Sequence, residues 1–197
     1  MRDDLLIVAG ALVAAYIVMS ADGGGFPISQ FTLVTDDVTA GDEQSNFLMD
    51  AADDMQSMIT GWPVGSGPYQ QTITDSANAN GLPVSALAWL LWKESRYRQD
   101  IIDGSTRSRV GALGIAQFMP ATAREELGSE QAALDPYKAI PGAASYLSRL
   151  VRKTGSLAAG LAAYNWGIGN VTNKGLAAAP KETVDYYTTI MKKAGLA

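Results

Sequence analysis

The sequence predicts a mainly α protein, and three observations predict it. From residue 76 to residue 197, apolar residues recur at three- and four-residue steps in segment after segment, and no stretch alternates apolar and polar residues as a half-buried strand would. Prolines at Pro83, Pro120, Pro136 and Pro180 stand where helices open, and glycines at Gly128, Gly155 and Gly167 stand where they close. Ahead of these segments lies one uncharged apolar run, Leu5 to Ala21.

That run is expected to be a helix of about 25 Å, within the usual range for crossing a hydrocarbon core. A cleaved signal peptide would carry a positive flank, whereas Arg2 is outnumbered by Asp3 and Asp4, and Met19-Ser20-Ala21 is a mediocre cleavage site. Residues 1–21 are therefore read as a retained transmembrane anchor. Residues 22–71 are read as an acidic stalk. Its first part, 22–41, is rich in Gly, Asp and Thr; its second, 41–59, places Phe47, Leu48, Ala51, Ala52, Met55, Met58 and Ile59 at helical spacing, predicting an amphipathic helix. Gly61 to Pro68 breaks the chain before the last region, 72–197.

That region is organised around Glu94. Asn80-Gly81-Leu82-Pro83 is a helix start, and the run Pro83 to Arg96 follows. At 100° per residue Glu94 falls on the centre line of the stripe formed by Leu87, Leu90 and Leu91, with Lys93 on the opposite face. A carboxyl held among leucines pays a desolvation cost when charged, so its pKa rises and it can keep a proton near neutrality.

The polar loop from Asp100 to Arg109 leads into a glycine-bearing turn, Gly111 to Gly114, and Pro120 opens a helix from Ala121 to Leu127. Asp135 before Pro136 is an N-cap, although Pro141 must sit at a helix start or break the pattern. Ala143, Ala144, Tyr146, Leu147, Leu150 and Val151 then face a core, up to Gly155. Leu157 to Tyr164 is dense in Ala and Gly, with Gly167 in position to close the helix in the left-handed conformation. The last helix starts at Pro180, with Glu182 and Asp185 early and Lys192 and Lys193 late, as its dipole favours.

Composition narrows the chemistry. No Cys and no His occur, which excludes Cys-His peptidases, Ser-His-Asp hydrolases and His-ligated zinc amidases and leaves carboxylate chemistry, with no metal and no cofactor expected. Residues 1–75 carry a net charge of −10 and residues 76–197 one of +5. The basic part suits a polyanionic partner. Its cations are scattered, without a basic run or a nucleic-acid motif, so nucleic acid is not the expected one.

Four ordered segments carry a resemblance: Glu94-Ser95; Gly114-Ile115-Ala116-Gln117-Phe118-Met119-Pro120; Ala163-Tyr164-Asn165-Trp166-Gly167; and Glu182-Thr183-Val184-Asp185-Tyr186. In order and spacing they resemble the motifs of the soluble lytic transglycosylases, relatives of goose-type lysozyme, over roughly Thr72 to Lys193. The resemblance implies a lysozyme-like helical domain that cuts the β-1,4 bond between N-acetylmuramic acid and N-acetylglucosamine in peptidoglycan, leaving 1,6-anhydro ends. It implies that Glu94 is the catalytic acid and then base, and that Ser108, Gln117, Met119, Tyr164, Asn165, Glu182 and Tyr186 bind substrate or hold the site together. The expected partners are glycan strands, the membrane through the N-terminal helix, and a phage particle or envelope-spanning machine that needs the wall opened locally. Two alternatives stand beside this reading. One is a hydrolytic muramidase drawing a base from Asp100 or Asp103; the other is a wall-binding assembly protein without turnover.

Overall fold

The computed structural model describes the backbone of residues 5–10 and 13–18, then residues 55, 57, 59–108 and 110–197. The chain divides into two compact units, Met1–Leu48 and Met49–Ala197.

In the first unit, β1 (Leu5–Gly10) and β2 (Val13–Val18) pair antiparallel, with Leu5 opposite Val18 and Gly10 opposite Val13. Over the described residues 5–10 and 13–18 the helix predicted for Leu5 to Ala21 is therefore corrected to strands. Among the described residues no helix is long and apolar enough to cross a membrane. The physical reason lies in side-chain type. Ile7, Val8, Val13, Tyr16, Ile17 and Val18 are β-branched or aromatic, and a continuously apolar run does not by its periodicity distinguish helix from buried strand. The linker over 22–41 lies outside the described residues. Of the amphipathic helix expected over 41–59, Met55, Ser57 and Ile59 are described, and they are helical, as is Thr60.

The described part of the second unit is helical, as the sequence predicts. A 3-10 turn, Gly67–Tyr69, leads into α1 (Gln70–Ala79), and α2 (Val84–Ser95) carries Glu94. Further on come α3 (Gln99–Ile102), α4 (Pro120–Leu127), α5 (Glu130–Ala133) and α6 (Pro136–Thr154). The chain closes with α7 (Leu157–Trp166), α8 (Ile168–Lys174) and α9 (Lys181–Lys193). Helix α6 packs along α1 and α7, and α9 packs across both α7 and α2.

Helix α2 is the hub. Every residue from Ala86 to Trp92 is at most 2% exposed, so the helix is buried around its whole circumference rather than along one stripe. Trp89 and Trp92 meet edge to face at 5.1 Å, and the Lys193 ammonium lies 4.7 Å from the Trp92 ring centre. A helix this deep in the core ends where its C-terminus breaks through to the surface, and Glu94 is at that end.

Two expectations about helix ends are corrected. Pro141 neither starts nor breaks a helix, because α6 runs through it. The lost rung, worth ~3 kcal/mol in a helix interior, is offset by burial of Ala139, Ile140, Ala143, Ala144, Leu147 and Leu150 on one face. Gly167 has φ 90° and ψ 139° rather than left-handed helical angles, because the chain passes straight from α7 into α8 instead of stopping. Gly114 is required by space as well as by its φ of 69°: a Cβ there would lie 1.8 Å from the carbonyl oxygen of Ala133.

Candidate active site

The end of α2 is shaped by its last residues. Ser95 is fully buried; its hydroxyl donates to the Leu91 carbonyl at 3.0 Å and accepts from the Tyr97 N–H at 3.2 Å. That double role reverses the chain through Arg96 and Tyr97, two successive non-glycine residues at positive φ, 52° and 53°. The Tyr97 hydroxyl then reaches back to the Ala88 carbonyl at 2.8 Å, tying the reversed chain down onto α2. Glu94 is thereby held on the final turn, facing a cleft of about 590 Å³ that is also lined by Lys93, Asn165, Lys181, Glu182, Asp185 and Tyr186.

Glu94 itself is half-buried, open to the cleft and otherwise walled by protein. Burial pushes its pKa from 4.5 up to about 7, against a hydrogen bond from the Tyr186 hydroxyl to Oε1 and the nearby Lys93 charge, both of which favour the carboxylate. At neutral pH the group is thus divided between acid and base forms.

The four sequence segments are joined by side-chain hydrogen bonds. Tyr186 on α9 holds Glu94 on α2. One turn earlier on α9, Thr183, only 2% exposed, donates to Asn165 Oδ1 at 2.8 Å. Beside Asn165, the Tyr164 hydroxyl donates to the Ala116 carbonyl at 2.9 Å. That carbonyl projects from a tight turn closed by mutual Leu113 and Phe118 backbone bonds of 2.9 and 3.1 Å. The turn includes Gln117 at φ 46°, whose amide donates to the Gly114 carbonyl at 2.9 Å. The link to Ala116 runs through its backbone, so a small side chain at that position leaves it intact.

Of the eight residues singled out by sequence, Glu94, Asn165, Glu182 and Tyr186 line the cleft. Ser108, Gln117, Met119 and Tyr164 are not among its lining residues. The Ser108 hydroxyl accepts the Ala112 N–H at 2.9 Å, Met119 caps α4 at 45% exposure, and Tyr164 lies against Phe118 and Tyr146. Sequence reasoning missed Lys93, Thr183, Lys181 and Asp185. Lys93, expected on the face opposite Glu94, shares its cleft, because the helix ends there and both side chains emerge at its mouth. Lys181 and Asp185 form an ion pair at the cleft rim. Their (i, i+4) spacing was the available signal.

Residues 71–186 match the family described as Transglycosylase SLT domain. The chain belongs to that family. Over 119 residues it is 34% identical to a peptidoglycan transglycosylase of Escherichia phage T7, a match covering 57% of this chain and 9% of the phage protein. Its fold is similar to a lytic transglycosylase Slt of Pseudomonas aeruginosa, solved as an inactive glutamate-to-glutamine mutant. There the TM-score is 0.55 at 27% identity, over 64% of this chain and 23% of the Pseudomonas chain. The chain thus matches about a tenth of the phage relative's length and about a quarter of the Pseudomonas protein's.

Proposed function

We propose that this SLT-domain protein is a peptidoglycan lytic transglycosylase, with 72–197 as its catalytic region, 22–71 as a stalk, and local opening of a bacterial wall for a phage particle or an envelope machine as its use. The observation that carries the reading is Glu94: one carboxyl, poised near pH 7, held by Tyr186 at the mouth of a cleft. In the protonated state Glu94 gives its proton to the glycosidic oxygen as the bond from muramic acid C1 breaks, and the glucosamine leaves with its hydroxyl complete. The substrate's N-acetyl group stabilises the positive charge at C1. The Glu94 carboxylate then takes the proton of the muramyl 6-hydroxyl, whose oxygen closes onto C1, and Glu94 is again protonated. No water is consumed, and one group serves as acid and base in turn.

Asn165, Glu182 and Tyr186 line the sugar cleft in this scheme, while Ser108, Gln117 and Met119 would act from the chain leading into α4 and Tyr164 from α7. The aspartates that a hydrolase might draw on are otherwise engaged. Asp100 is paired with Arg98 at 2.6 Å, and Asp103 is held by the Ser105 side chain and by the Ser105 N–H at 2.8 Å; these bonds keep both carboxyls below their ordinary pKa. Hydrolysis keeps one observation in its favour: Glu182 lines the cleft without an ion pair among the described residues. Mass spectrometry of muropeptides released from sacculi separates the two, since anhydro products are about 18 Da lighter than hydrolytic ones. Anhydro ends are expected. Reducing muramic acid ends would establish a muramidase, and no released fragments at all would establish a binding protein.

A further inference from the structure

Helices α4 and α6 are joined beside a second cavity, of about 410 Å³, that shares no lining residue with the Glu94 cleft. The joint is an ion pair: the Arg149 guanidinium on α6 donates to Oε1 of Glu126 on α4, whose side chain is only 5% exposed. A buried pair of this kind adds little net stability, because the cost of drying the charges offsets most of their attraction. What it does fix is the place of its partner. Arg149 lies 5.6 Å from the ring centre of Tyr146, close enough for a cation–π contact, and both residues line the cavity.

The Tyr146 ring is one corner of an aromatic triangle. It lies 6.2 Å from Phe118 and 5.4 Å from Tyr164, and those two rings are 6.3 Å apart. Both other corners hold the turn over 113–118: Phe118 closes it through its backbone bonds with Leu113, and the Tyr164 hydroxyl donates to the Ala116 carbonyl within it. The contacts form a closed circuit. The turn runs on through Met119 into α4, α4 carries Glu126, and Glu126 leads back through Arg149 and Tyr146 to the turn. The circuit also reaches the acid, because burial and then the Glu94 charge raise the pKa of Tyr164, so that Tyr164 lies within electrostatic reach of the Glu94 carboxylate. We propose that Arg149 is a positioning residue for glycan binding: anchored by Glu126, it fixes Tyr146 and, through Tyr164 and Phe118, the turn from which Gln117 and the following Met119 meet the sugar chain. The assignment rests on the peptidoglycan reading above.

The test is the full chain carrying Glu126→Leu and Arg149→Met together. An apolar pair avoids the cost of a buried charge, so this variant is expected to melt at or above the native temperature. Its amide exchange at Leu113 and Phe118 is nevertheless expected to be faster by ~3-fold or more, with exchange at Leu90 in α2 unchanged. KM for peptide-free glycan strands is expected to rise by ~3-fold or more, the size of effect seen for residues that touch no ligand, and kcat to change less than KM. Arg149→Lys keeps a charge for Glu126 but replaces the planar fork with a point charge, and it is expected to move exchange and KM in the same direction. It decides the matter if the double variant does not fold. Native exchange rates at Leu113 and Phe118 in the variants, or a native KM, overturn the proposal. If the native chain cleaves no glycan, the activity proposed above fails and Kd for the same strands takes the place of KM. A native Kd in the variants then overturns this proposal alone, and absence of binding by the native chain overturns both.

Discussion

The Tyr186 hydroxyl donates a hydrogen bond to Oε1 of Glu94, joining the last helix to the buried hub helix at the point where the hub reaches the cleft. Burial raises the pKa of Glu94, while this bond and the nearby Lys93 charge lower it, so about 7 is a balance of opposed effects. Tyr186→Phe removes the larger of the two lowering contributions. The alkaline limb of the pH–rate profile, set by loss of the Glu94 proton, is expected near pH 7 in the native protein and at higher pH in the variant. A charge-assisted bond contributes ~1.5–3 kcal/mol, so the rate is also expected to fall by ~10- to 100-fold. A pH–rate profile on purified sacculi measures both effects, and an unmoved alkaline limb would separate Tyr186 from Glu94 ionisation.

Glu94→Gln is expected to abolish wall clearing, by at least ~10²-fold, and to make the fold more stable. In the unfolded chain the carboxyl ionises near 4.5, and in the fold near 7. Between these values the unfolded state has already released a proton that the folded state keeps, so native stability falls as pH rises through that window and levels off above it. The full penalty is at most about 3 kcal/mol, from a shift of roughly two and a half units. The neutral glutamine avoids it. The melting temperature of the variant should therefore exceed that of the native protein at pH 8 and approach it at pH 4.5, a convergence that scanning calorimetry at the two pH values would detect.

Most of the helical unit was legible because its signals are local. Asp135 caps α6 by accepting the Tyr137 N–H at 3.0 Å, Pro120 opens α4, and Gly128 and Gly155 end their helices at positive φ. Glu94 was legible because an acidic residue amid leucines is a conflict between local chemistry and burial. What was not legible depends on tertiary placement. Thr183 looked like an ordinary helix residue until α9 lay across α7, and Lys93 faces the cleft because of where α2 stops, which periodicity does not encode. The N-terminal run was misread for a different reason: unbroken apolarity carries no period, and its β-branched residues pair as strands.

Ser95 carries no chemistry, yet its buried hydroxyl serves two backbone groups at once, the Leu91 carbonyl and the Tyr97 N–H. Ser95→Ala leaves the Tyr97 N–H, in a buried residue at φ 53°, without that acceptor. A cost of ~1–3 kcal/mol is expected, as for a buried donor deprived of its partner. Chemical denaturation measures it. Activity is expected to fall along with stability, since the reversal through Arg96 and Tyr97 fixes the turn that carries Glu94; a variant as stable as the native chain would show that this turn is held by other contacts.

Thr183→Val tests whether the α9–α7 bond positions Asn165. Valine replaces threonine with little change in volume, and Thr183 is 2% exposed, so the packing beneath it should survive. What is lost is the 2.8 Å donation to Asn165 Oδ1. Because Asn165 is exposed, water can satisfy its released oxygen, and the stability cost is expected to be no more than ~1 kcal/mol. The effect on turnover should be different in kind. Asn165 lines the cleft beside Glu94, and an amide free to rotate no longer presents a fixed pair of hydrogen-bonding groups to the sugar. A higher KM is expected, with kcat falling less, because the bond orients a binding group and leaves the Glu94–Tyr186 pair untouched. Steady-state kinetics on a soluble glycan of defined length would show the split. Equal loss in kcat and kcat/KM would instead place Asn165 among the groups that act only as the glycosidic bond breaks.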